Sequence, residues 1–103
     1  MQKKPIPLTT VVQIYNCTVK LVRSRFKVKY RPSKSTDSFY IELITPDEMR
    51  YNLRFSDHAP KDKRTRTFYL TNNIKKKDLE DFIEDGIHRA QMKLVKNLFT
   101  KIA

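Results

Sequence analysis

Ser56, Asp57 and His58 stand consecutively within "RFSDHAPKDKRTRTFYL", residues 54–70, and are the residue types of a nucleophile, an orienting acid and a general base. Their spacing forbids that relay. In an extended chain neighbouring side chains point to opposite faces, so three consecutive residues cannot line up on one substrate. The corner reads instead as a strand end, with Ser56 and Asp57 bonding to local backbone amides. The other chemistry to weigh is a metal site, His58 with Glu42 or Asp57, as in some nucleases. The chain has two histidines and one cysteine, with no HxH, HExxH or paired-cysteine spacing, so the donor set is thin. His88 falls off the main apolar stripe of a helix and reads as a surface or boundary residue. Cys17 also lies off its helix's stripe, and nothing local would activate its thiol. The expectation is a protein without catalysis, metal or cofactor.

After His58 comes a basic run, Lys61, Lys63, Arg64 and Arg66, and a second stands at Lys75, Lys76 and Lys77. The whole chain has 22 Lys/Arg against 11 Asp/Glu, a formal net charge of +11 over 103 residues. The surplus is uneven: residues 1–77 carry 18 Lys/Arg and 6 Asp/Glu, whereas residues 78–103 carry 4 and 5. Such a surplus makes the compact state repel itself, and a polyanionic partner relieves the repulsion; solubility is the simpler use for it. The single glycine, Gly86, excludes a P-loop and a dinucleotide fingerprint. With Cys17 alone, no intramolecular disulfide forms, and a reducing, cytoplasmic compartment is expected. No apolar run approaches the ~20 residues of a membrane span, and the N-terminus lacks the unbroken apolar stretch of a signal peptide, so no membrane association is expected.

The length suits one domain, residues 1–103. Leu8, Val11, Val12, Tyr15, Val19 and Val22 recur at helical spacing and predict a helix with those residues on its buried face. Period-2 alternation comes next: Phe26, Val28 and Tyr30, then Phe39, Ile41 and Leu43, then Tyr51, Leu53 and Phe55 alternate with more polar neighbours, which predicts three strands in a meander. "RPSKSTDS" is a polar connection, and "TPDE" has Pro46 at the second position of a type I turn. "TFYL" predicts a short fourth strand from Thr67, which leaves Arg64 and Arg66 in the loop. From about residue 75 a helix runs to the end, its stripe formed by Leu79, Phe82, Ile83, Ile87, Ala90, Leu94, Leu98 and Ile102. Its acids come first and its bases later, the order that suits the helix dipole. The predicted fold is α+β: helix, three- to four-stranded antiparallel sheet and C-terminal helix in a two-layer sandwich.

If the apolar parity meets the helices, the other face of the sheet carries Lys27, Lys29, Arg31, Tyr40, Arg50, Asn52 and Arg54, with Tyr69 a further candidate. Cations neutralise phosphates, and tyrosine rings stack on unpaired bases. A half-exposed antiparallel sheet is polar outside in any case, but that does not explain the sign, since Glu42 is the one acid among these positions. The loop cations Lys61, Lys63, Arg64 and Arg66, and Lys75, Lys76 and Lys77 at the last helix's start, could extend the patch. The expected ligand is DNA or RNA.

The order helix, three strands, helix, with "IKKKDLEDF" opening the last helix, resembles the double-stranded RNA-binding domain, which implies phosphate contacts by Lys75, Lys76 and Lys77. The glycine-rich turn before that helix and the His-bearing loop between the first two strands are absent. A second likeness covers about residues 33–58. The Ser-rich turn, the "SFYIEL" strand and the "YNLRFSDH" strand end are similar to those of small phage and mobile-element proteins. That resemblance implies a DNA-associated accessory protein or an inhibitor of a host defence nuclease (anti-CRISPR-like), with a protein or ribonucleoprotein partner.

Overall fold

The computed structural model describes residues 6–57, 66–70 and 75–102, with side chains through residue 96. His58, Lys61, Lys63 and Arg64 lie outside the described residues. The elements run in the order α1 (Leu8–Val22), β1 (Lys27–Pro32), β2 (Ser38–Ile44), β3 (Arg50–Ser56), β4 (Thr67–Tyr69) and α2 (Lys76–Ile102). The four strands form one sheet in the order β1-β2-β3-β4, and both helices pack on the face carrying Phe39, Ile41, Leu43, Leu53 and Phe55.

Local chemistry explains the boundaries. Pro7 cannot continue a helix backwards, and its carbonyl accepts the amides of Thr10 (3.0 Å) and Val11 (3.2 Å), which starts α1. At the other end Arg23 turns left-handed (φ 52°) and Ser24 comes next at φ 66°. The guanidinium of Arg25 then donates to the carbonyls of Val22 (2.9 Å) and Leu21 (3.0 Å), satisfying two orphan acceptors of the last turn. The predicted turn is present: Glu48 N–H donates to Thr45 O at 2.9 Å, with Pro46 second in the turn. Glu48 takes the left-handed position (φ 64°), and Thr45 N–H closes the hairpin onto Met49 O at 2.9 Å.

The sheet is mixed, not wholly antiparallel. β1–β2 and β2–β3 are antiparallel, but β4 runs parallel to β3, pairing Arg54 with Thr67, Phe55 with Phe68 and Ser56 with Tyr69. Parallel neighbours need a crossover of a dozen or so residues when whole strands overlap. Here the overlap is three residues at the end of β3, so the chain has only a short distance to travel back.

α1 is rotated relative to the stripe predicted for it. Val11, Ile14, Thr18 and Val22 are buried, Cys17 and Leu21 pack against the core, and Leu8, Val12 and Val19 are exposed. The apolar arc of this helix is wider than one contact face, because Ile14, Cys17 and Leu21 extend it on the side opposite Leu8 and Val12. Contact with the sheet and α2 selects the centre of that arc. Thr18, wholly buried, returns its hydroxyl to the Ile14 carbonyl at 2.8 Å, which makes a polar residue tolerable there. Cys17 is thus a packing residue, and burial first, then the charge of Glu80, push its thiol up, away from the reactive thiolate.

α2 runs antiparallel to β3. Phe82 packs edge-on against Phe55 (5.5 Å), Gly86 lies against Leu53, and Lys93 donates to the Arg50 carbonyl at 3.3 Å. A Cβ on Gly86 would meet Leu53 Cδ2 at 2.2 Å, so the one glycine of the chain marks the close approach of helix and sheet. Leu79, Ile83, Ile87 and Ala90 are buried as the periodicity predicts, and His88 is exposed. No described helix is long and apolar enough to cross a membrane.

Candidate nucleic-acid interface

The register turns the open face into a lattice. Because paired residues share a face, the rows read Lys27–Ile44–Arg50, then Lys29–Glu42–Asn52, then Arg31–Tyr40–Arg54–Thr67, then Ser38–Ser56–Tyr69. Successive rows are about 6.8 Å apart and neighbouring strands about 4.8 Å, so the cations of β1 recur at a step comparable with one nucleotide. The outward residues predicted from β1 to β3, namely Lys27, Lys29, Arg31, Tyr40, Arg50, Asn52 and Arg54, meet on this one surface. Tyr69 joins them on β4, exposed at the end of the last row.

Glu42 changes the picture of that surface. Although it points outward from the sheet, it is only 1% exposed. Arg31 Nη1 donates to its Oε2 at 2.8 Å, and Arg50 Nε approaches Oε1 at 3.6 Å. The two arginines reach diagonally from the neighbouring strands over the carboxylate while remaining 49% and 62% exposed. They bridge inward without being used up. Five cations against one carboxylate leave a surplus of four positive charges in the middle of the sheet. Tyr40 lies half-buried between Arg31 and Arg54 in register. The Nε of Arg54 is covered and has no acceptor among the described residues. Such a buried donor costs roughly 1–3 kcal/mol, relieved if the side chain turns outward to an anion.

Arg66 does not extend this patch. It shares its strand parity with Phe68, so it projects toward the helix layer, where its Nη1 lies 2.6 Å from Asp85 Oδ2 and its guanidinium 6.0 Å from the Phe82 ring centre. Asp85 also accepts from Arg89 Nε at 2.9 Å, and this hydrogen bond, helped by the carboxylate's charge, raises the Arg89 pKa. Arg66, expected in a loop that extends the basic face, is thus held by an ion pair behind the sheet. Lys75, Lys76 and Lys77 are exposed at the start of α2, in the helix layer, with Lys76 Nζ 4.0 Å from Glu80.

The strand end at Ser56 and Asp57 is held by backbone bonds: Leu70 N–H donates to Ser56 O at 2.7 Å, and Asp57 N–H to Asp37 O at 3.0 Å. Among the described residues no three His, Cys, Asp or Glu side chains gather in a metal-binding group. A cleft of about 330 Å³ lies between the α1–β1 and β2–β3 turns beside Lys27, with Arg25 in its wall already engaged in capping α1. Sequence reasoning missed two features: the internal role of Glu42, legible only from the diagonal register, and the exposure of Tyr30. Tyr30 has inward parity, yet it sits on the edge strand, where the helices do not cover it. Comparison with protein families, with curated proteins and with solved structures gives no match for this chain.

Proposed function

We propose that this chain is a small, basic, non-catalytic nucleic-acid-binding protein that holds phosphates on the open face of its sheet. The observation that carries the reading is the composition of that face: five cations on one surface, two of them flanking Tyr40 in register, with the one carboxylate among them already bridged by Arg31 and Arg50. Phosphate contacts of this kind position a strand or duplex without reading its sequence. The reading is tested by fluorescence-anisotropy binding to short duplex DNA, single-stranded DNA and duplex RNA across a salt series. A surplus of four charges predicts a log–log salt slope of about −3 to −4 for the preferred form. Weak binding, equal for all three and gone near physiological salt, would sink it.

Glu42→Gln gives a second, signed expectation. The substitution keeps the shape of the side chain but frees Arg31 and Arg50 and raises the surplus from four to five. Affinity is expected to rise roughly 2- to 5-fold and the slope to steepen by about 0.9. Stability should change little, because the two arginines stay half-exposed and regain water when freed, and burying the carboxylate is itself costly. A fall in affinity would show that Glu42 organises the site instead of restraining it.

A different reading is favoured by one observation, the apolar flank of α1, where Leu8 is 74% exposed and Val12 and Val19 stand beside it. On that reading the protein is a phage or mobile-element inhibitor of a host defence nuclease and binds a protein or ribonucleoprotein. A pull-down from host lysate with and without nuclease treatment separates the two: a partner retained after nuclease treatment favours the inhibitor.

A further inference from the structure

A second cleft, of about 210 Å³, lies round the edge of the sheet from the basic face, between the start of α1 and the β1–β2 connection. Val11 and Phe39 form its apolar floor, Tyr30 and Pro32 its wall, and Ser33 and Ser35 stand at its rim. The Tyr30 ring packs against Phe39 with centroids 5.8 Å apart and remains 42% exposed. At the rim, Ser33 Oγ accepts the amide of Ser35, and the Ser35 hydroxyl donates to the carboxylate of Asp37, a buried residue. The local acid is thus turned inward, while Lys34 and Arg31 beside the cleft are exposed.

We infer that this cleft receives one unpaired nucleobase, so that the ligand of the open face is single-stranded nucleic acid. The inference rests on the phosphate-binding reading above and deepens it. The volume is below the ~300–1,000 Å³ of sites for drug-sized ligands and suits a single ring system. An aromatic wall offers a stacking surface that accepts any base, and the serine rim offers polar partners to ring heteroatoms. The surrounding charge selects an anionic ligand. Arg31 projects from the basic face, while its neighbours Tyr30 and Pro32 line the cleft on the other side of the same edge strand. A strand whose phosphates track along Lys29 and Arg31 can therefore turn one base over the β1 edge. A duplex cannot do so without breaking a pair. The apolar side chain of a protein partner would fill the floor but leave the serine rim and the flanking cations without complements.

The test compares wild-type protein, Tyr30→Ala and Tyr30→Phe by anisotropy on a 12-nucleotide single strand, an abasic strand of the same length and a 12-base-pair duplex. The wild type is expected to bind the base-bearing strand most tightly. Tyr30→Ala should weaken that binding about tenfold, the size of one lost stack, with Tyr30→Phe within about twofold of wild type. Abasic-strand and duplex affinities and the salt slope should not move. Thermal melts of the three proteins separate a loss of fold from a loss of contact. Salt-dependent binding indifferent to Tyr30, or weakened equally for base-bearing and abasic strands, overturns the base site and leaves the phosphate face standing. Absence of salt-dependent binding by the wild type overturns both.

Discussion

Reversing two charges at the centre of the open face, Lys29→Glu with Arg54→Glu, is expected to lower nucleic-acid affinity by about a hundredfold or more at moderate salt and to flatten the log–log slope by at least about two units. The size comes from the lattice. Lys29 stands opposite Glu42, and Arg54 stands opposite Tyr40 in the next row. The double change leaves three cations facing three carboxylates, so the surplus of four charges vanishes. Losses should be nearly uniform across sequences, because phosphate contacts carry no base information. Arg54 is half-buried, so Lys29→Gln with Arg54→Gln serves as the milder pair, with an intermediate loss and a far-ultraviolet spectrum like that of the wild type. The control is Lys20→Glu with Lys96→Glu, the same change of net charge on exposed residues of the helix layer. If the control lowers affinity as much as the face variant does, net charge and not the face is responsible, and the assignment of the site fails.

Phe55→Ala should produce the largest loss of stability, about 3–5 kcal/mol, the usual cost of truncating a fully buried phenylalanine. Phe55 is inaccessible to solvent and joins both layers of the structure. It stacks on Phe39 of β2 at 5.2 Å and 14°, meets Phe82 of α2 edge-on at 5.5 Å and touches Phe68 of β4 at 5.9 Å. Total stabilities of small domains are about 5–15 kcal/mol, so much of the margin would go, and Tm should fall by roughly 15–30 °C. Guanidinium unfolding at 25 °C gives the direct comparison. Phe68→Ala, at a half-buried position on the short edge strand, should cost clearly less. A loss below about 1 kcal/mol for Phe55→Ala would mean that the aromatic cluster is not the centre of the core.

The parity that puts Phe55 inside and Arg54 outside is written in consecutive residues, because side chains of an extended chain alternate whatever the rest of the fold does. For the same reason the sequence alone marks the positions of β1 to β3, the turn at Pro46 and the start of β4 at Thr67. The helical stripe of α2 belongs to this class too, since Leu79, Ile83, Ile87 and Ala90 recur at the helical period and only one side of α2 meets the sheet. The α+β order of elements and the basic character of one sheet face are thus properties of local pattern.

The tertiary structure decided what depends on neighbours far apart in the chain. Whether β4 would add parallel or antiparallel depends on where the chain re-enters the sheet, and no local pattern records that. The rotation of α1 was ambiguous because its apolar arc is wider than one contact face. Only contact with the sheet and α2 chose Ile14 and Thr18 over Leu8 and Val12. Glu42 reads as an ordinary outward acid until the register places Arg31 and Arg50 diagonally across it. Arg66 reads as part of a basic loop until Asp85, nineteen positions away, claims it on the other side of the sheet. Alternation assigns each side chain to a face; long-range packing and ion pairing then settle which residues on that face are buried, bridged or left to meet a ligand.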